Sequence, residues 1–218
     1  MNHQAKLIVF DWDGTLMDSA AHIISCLQTA LADLKLPAKT DSEIKNIIGL
    51  GLREALAVLC PEANDTELTT LTTRYREYFF HQEKEPIELF TGARELIKEL
   101  QSQDYFLAVA TGKGRRGLDK ELCETGLGEF FPVTRCADEA HSKPHPQMLL
   151  EIIDWYGVEA SDTIMIGDTD YDLQMANNAN THAVGVTYGV HEKQRLLDCN
   201  PLACVNNIDD LKQWLLNK

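Results

Sequence analysis

"LIVFDWDGTLMDS", residues 7 to 19, runs four apolar residues straight into two aspartates one position apart, then Gly-Thr. A short apolar run of strand formers, closed by turn residues, predicts a buried strand over 6–10. Asp11 and Asp13 at its end repel each other, and neither is cheap to desolvate. A cation at the strand's end, or chemistry carried out by one of the carboxylates, would resolve that conflict.

The same pattern recurs. "YFLAVAT" (105–111), "DTIMIGD" (162–168), "HAVGVT" (182–187) and the weaker "PVTRC" (132–136) also read as strands. Helical patterns lie between them, at "GARELIKELQSQ" (92–103), "PQMLLEIIDWYG" (146–157) and "YDLQMANNAN" (171–180). Strands alternating with helices predict an α/β fold, a doubly wound parallel sheet covered on both faces. The interval from Thr15 to Phe90 is far longer than one crossover helix needs. Within it, "HIISCLQTALADL" (22–34), "REALAVLC" (53–60) and "ELTTLTTRYREYFF" (67–80) carry helical periodicity. The expected division is a core of residues 1–15 and 91–218, with an all-helical cap, 16–90, inserted after the first strand. An insert at that point is placed to act as a lid.

Parallel strands direct their C-terminal ends to one edge of the sheet, where ligands bind. Asp11, Thr111 and Asp168 each end a strand, and Lys143 in "SKPHP" opens a loop before a helix. Acids, a hydroxyl and an ammonium are therefore expected along one edge. In this order they resemble the haloacid dehalogenase-like hydrolase superfamily: "DWDGT" is similar to its first motif, Thr111 to its second, Lys143 to its third, and "GDTDYD", with Asp168 and Asp172, to its fourth. The helical insert resembles that of the phosphoglycolate phosphatase and beta-phosphoglucomutase branch. That branch often carries Asn after the second-motif Thr, and here the residue is Gly112.

The resemblance implies a Rossmann-like core and a Mg²⁺-dependent phosphatase acting on a small phosphorylated metabolite, of phosphoglycolate or sugar-phosphate type. Asp11 is then the nucleophile and Asp13 the proton shuttle. Asp11, the Asp13 carbonyl and Asp168 would hold the metal, with Asp172 ligating directly or through water. Thr111, Gly112 and Lys143 would meet the phosphoryl group. A phosphomutase of the same fold is one alternative; a slow phospho-accepting signalling protein is another. A dehalogenase would not need the acid/base carboxylate of Asp13. A calcium-loop reading fails, because with Asp11 as first ligand the glycine position falls on Leu16 and the bidentate position on His22.

"GLGLRE" (49–54) lacks the third glycine and preceding strand of a nucleotide loop; it reads instead as the lid segment that reaches the substrate, with Arg53 gripping the end that does not react. Lys113 and Arg115 read as rim charges, and His22, His141 and His145 as structural or solvated. With 20 Lys+Arg against 34 Asp+Glu the net charge is -14, which argues against nucleic acid and anionic membrane as partners. The six cysteines show no metal-site spacing and "MNHQAK" no leader pattern. The expectation is a cytoplasmic enzyme, monomer or homodimer.

Overall fold

The computed structural model describes residues 6–81 and 87–216. The parts of the expected segments on residues 1–5, 82–86 and 217–218 lie outside the described residues. Six parallel strands form one sheet: β1 (Leu7–Phe10), β2 (Phe106–Thr111), β3 (Val133–Cys136), β4 (Thr163–Gly167), β5 (His182–Val186) and β6 (Ala203–Val205), in the order β3-β2-β1-β4-β5-β6. This is the doubly wound order, and the direction of winding reverses between β1 and β4.

Side chains alternate across the sheet, as period 2 requires. Ile8, Phe10, Leu107, Val109, Ile164 and Ile166 face one apolar cluster, together with α5 (Ala93–Ser102), α6 (Arg115–Thr125) and α10 (Ile208–Leu216). Leu7, Val9, Ala108, Ala110 and Met165 face the other, with α7 (Gln147–Tyr156), α8 (Asp170–Asn178) and α9 (Lys193–Leu197). Both faces are buried, so the central strands read as continuous apolar runs instead of alternating ones.

The inserted segment forms α1 (Ala20–Asp33), α2 (Asp41–Lys45), α3 (Leu52–Leu59) and α4 (Asp65–His81). These close on a separate cluster that includes Leu27, Leu31, Ile44, Leu56 and Leu71. The chain leaves and re-enters the core along a two-stranded strap, where Asp18 N donates to Glu88 O at 2.9 Å and Phe90 N to Leu16 O at 2.9 Å. Leu16, Met17, Leu89 and Phe90 all pack into the core cluster. The expected boundary at residue 16 therefore falls inside this strap, and the helices begin only at Ala20.

Elements that lacked an expectation are α2, α6, α9, α10 and β6. The last is a three-residue, half-buried strand, too short to show a period. Among the described residues no helix is long and apolar enough to cross a membrane.

Candidate active site

At the reversal between β1 and β4, the C-terminal ends of neighbouring strands bring Asp11 and Asp168 together. Asp11 N extends the ladder, donating to Ile166 O at 2.8 Å. Asp172 arrives from α8, whose first turn is a capping box: Thr169 Oγ1 accepts from Asp172 N, while Asp172 Oδ2 accepts from Thr169 N at 3.1 Å and Thr169 Oγ1 at 2.6 Å. The helix N-terminus also favours its negative charge. Asp11, Asp168 and Asp172 each offer an oxygen within 4.8 Å of the others, and all three are buried. Asp168 is fixed by Thr15 Oγ1 at 2.9 Å and Val190 N at 2.8 Å.

One ammonium enters this cluster. Lys143 is buried, with Nζ 2.7 Å from Asp11 Oδ1 and 2.6 Å from Asp172 Oδ1. Burial works against its charge, yet Asp11 and Asp172 hold its pKa above the ordinary lysine value. Burial pushes the Asp11 carboxyl well above the usual carboxylate range against the pull of Lys143. Burial, then the charge of Asp172, raises Asp168 to about 7. Among the described residues three buried carboxylates face a single ammonium, which fits an added cation, and an all-oxygen carboxylate set suits Mg²⁺. Asp11 Oδ2 is buried and has no hydrogen-bond partner among the described residues.

Asp13 stands apart from that cluster. Its Oδ1 accepts from Ser19 Oγ at 2.7 Å, at the foot of the cap, and its Oδ2 pairs with Lys113 Nζ at 3.1 Å. Lys113 is a correction to the sequence reading: it is not a rim charge. Its side chain is 7% exposed, it also pairs with Glu121 Oε1 at 3.1 Å, and Phe79 of α4 lies 4.4 Å above its ammonium. Trp12 Nε1 donates to Glu121 Oε2 at 2.5 Å, which closes the network beneath Asp13. Sequence reasoning missed Glu121 entirely; a glutamate on an otherwise polar helix carries no signal of burial. Arg115 does lie outside the site, where it joins α6 to Glu139 at 2.7 Å.

Thr111 ends β2, and its Oγ1 accepts from Lys113 N at 3.1 Å, so its own proton remains free to donate. Gly112 has a steric reason to lack a side chain. A Cβ there would stand 2.5 Å from Leu50 O and 2.6 Å from Gly49 O of the cap segment. That segment rests on the core at two further points, Gly51 N to Ser142 Oγ at 2.7 Å and Tyr171 Oη to Asn46 O at 2.9 Å. Arg53 lines the same cavity as Asp11 and Asp13, but its guanidinium pairs with exposed Asp65 at 2.9 Å. His22 packs against Phe79 inside the cap, and His141 lies tilted against His145.

Residues 8–186 match the family model described as haloacid dehalogenase-like hydrolase. The chain is 36% identical to "Probable phosphatase IndB" of Dickeya dadantii over 94% of this chain and 91% of that protein. It is 32% identical to a phosphoglycolate phosphatase of Pseudomonas syringae pv. tomato over 96% of this chain and 78% of that one. In fold it is similar to a hydrolase from Pseudomonas syringae, with a TM-score of 0.87 at 24% identity, covering 96% of this chain and 97% of the other.

Two expectations follow from the geometry. Gly112→Ala should force the Gly49–Leu50 carbonyls off the core, lowering Tm and reducing kcat/KM by about 10- to 100-fold. A Gly112→Ala enzyme with unaltered kcat/KM would show that the cap segment tolerates displacement. The second concerns protons. Between 3.8 and about 7 the folded protein keeps a proton on Asp168 that the unfolded chain has released. Stability from this group therefore falls as pH rises through that window. The Tm of metal-free protein should drop across it, Mg²⁺ should restore Tm most at the upper end, and Asp168→Asn should flatten the slope. A slope unchanged in Asp168→Asn would remove Asp168 from this account.

Proposed function

The chain belongs to the haloacid dehalogenase-like hydrolases, and from that premise we propose a Mg²⁺-dependent phosphatase that hydrolyses a small phosphomonoester through an aspartyl-phosphate on Asp11. The observation that supports this most directly is the division of the two aspartates: Asp11 joins the carboxylate cluster with its Oδ2 unpartnered among the described residues, whereas Asp13 faces the cavity on a separate hydrogen-bonded mount.

Uncatalysed hydrolysis of a phosphate monoester is among the slowest of biological reactions, and a carboxylate nucleophile divides it into two easier steps. Asp11 Oδ2 attacks phosphorus as the bond to the leaving oxygen breaks. Asp13 donates a proton to that oxygen, then accepts one from the water that hydrolyses the aspartyl-phosphate. Asp11, the Asp13 carbonyl and Asp168, with Asp172 directly or through water, would hold Mg²⁺, which would supply positive charge to offset that of the carboxylates and the phosphoryl group. Lys143 uses two of its three N–H donors on Asp11 and Asp172, which leaves the third for a phosphoryl oxygen. The free Thr111 proton serves a second. Ser19 and Lys113 hold the Asp13 carboxylate toward the leaving group.

Arg53 is a candidate for the end of the substrate that does not react. Its pair with Asp65 is solvent-exposed and worth about 0–1 kcal/mol, so a substrate anion displaces it at small cost. Relatives named for phosphoglycolate supply one substrate class, and sugar phosphates are a second. Six free cysteines support a reducing, cytoplasmic setting.

Chelation should abolish phosphate release and Mg²⁺ restore it; full activity in a strong chelator would overturn the proposal. The two aspartates should also separate kinetically. Asp11→Asn should release no leaving group and form no phosphoenzyme. Asp13→Asn should give a stoichiometric burst of nitrophenolate from p-nitrophenyl phosphate, a leaving group that needs no proton. Turnover should then be slower by about 10²–10⁴-fold, with phosphoenzyme trapped on Asp11. Identical behaviour of the two variants, without burst or labelled Asp11, would refute the assigned roles.

A further inference from the structure

The cavity above Asp11 and Asp13 has a volume of about 470 Å³. That lies within the range of roughly 300–1,000 Å³ that encloses a drug-sized ligand. Its two ends differ in chemistry. Asp11, Asp13, Thr111 and Gly112 border the reacting end, while the cap supplies Ile23 and Leu27 from α1, Ile47 ahead of α3, Leu52 from α3, and Tyr75 and Phe79 from α4. Nearly every helix of the cap thus turns aliphatic or aromatic surface toward the phosphate site.

The cations that border this space are committed or peripheral. Lys113 is shared between Asp13 and Glu121, while Arg53, Arg76 and Arg116 are exposed. A two-carbon acid would fill only the phosphate end. Beyond it, the apolar wall would stay wet, or the substrate's carboxylate would be desolvated against aliphatic and aromatic side chains that cannot bond it. An apolar body gains from the same wall, at about 25 cal/mol per Å² removed from water. Resting on the phosphatase reading, we propose that the substrate is a phosphomonoester whose leaving group carries a largely apolar ring, seated between α1, α3 and α4 of the cap. Tyr75 adds one polar contact. Its phenol lines the same wall and can serve one ring substituent as a hydrogen-bond donor.

The test compares ethyl phosphate, 2-phenylethyl phosphate and phosphoglycolate with Mg²⁺, reading phosphate release. All three expel a primary alkoxide, so differences in kcat/KM report the body of the substrate and not its intrinsic reactivity. 2-Phenylethyl phosphate should exceed both others by roughly 10- to 100-fold, the factor that burial of a phenyl group supplies. Leu52→Ser, which strips the wall, and Thr72→Phe, which fills the cavity from α4, should each reduce the ratio of 2-phenylethyl to ethyl phosphate below about threefold. The ratio is internal to each protein, so partial loss of folded enzyme does not alter it. Equal kcat/KM for the three esters, or a preference for phosphoglycolate, would overturn the ring-bearing substrate while leaving a working phosphatase. A preference unchanged in both variants would overturn the cap wall as its seat. Release from none of the esters would count against the phosphatase reading itself, and this inference would fall with it.

Discussion

Lys143 is the cation on which the site depends. It is buried and lies within 2.7 Å of Asp11 and 2.6 Å of Asp172, which belong to different elements. Removing one partner from a buried pair typically costs about 3–5 kcal/mol, because the remaining charge has no solvent to turn to. The ends of β1 and β4 and the first turn of α8 are thus mutually constrained. The winding reversal between β1 and β4 supplies the place, and the Thr169–Asp172 capping box sets the orientation of the third carboxylate. One ammonium against three carboxylates leaves an excess of negative charge, and that excess suits the site to a divalent cation.

Asp13 is governed by a second, physically separate network. Ser19 from the foot of the cap and Lys113 from the core grip opposite oxygens of its carboxylate, and Phe79 of the cap covers the lysine. Asp11 and Asp13 sit two residues apart in sequence yet answer to different surroundings. The cap is therefore more than a cover: it contributes directly to the mount of Asp13. Gly112 marks how closely cap and core approach, since even one carbon there meets the carbonyls of Gly49 and Leu50.

Much of this was legible in the chain, for identifiable reasons. Buried parallel strands leave continuous apolar runs, so "LIVF", "FLAVAT" and "TIMIG" announce themselves. Their C-terminal residues then carry the chemistry, because topology sends every such end to one edge. The edge strand β6 and helices α6 and α10 left weaker marks. α6 begins in "GRRG", which reads as a loop, and it buries Glu121 among few apolar positions. The absence of Asn at position 112 was visible as a departure, but its cause lay with a cap loop more than sixty residues away.

The sequence by itself determined the parallel sheet apart from its edge strand β6, the existence of a helical insert, and the expectation that Asp11, Asp13, Thr111, Lys143 and Asp168 lie along one sheet edge, because these depend on local patterns and on strand direction; Asp172 came with the family resemblance. Only the tertiary structure decided that Lys113 is buried and not a rim charge, that Glu121 stands behind it, and that the cap turns an apolar wall toward the phosphate end. The reason is physical. A charge is stable in the interior only with its partner, and here Asp13 lies 100 positions from Lys113 in the chain. Local pattern records which face of a helix is apolar; which other surface that face meets is fixed only when distant segments pack.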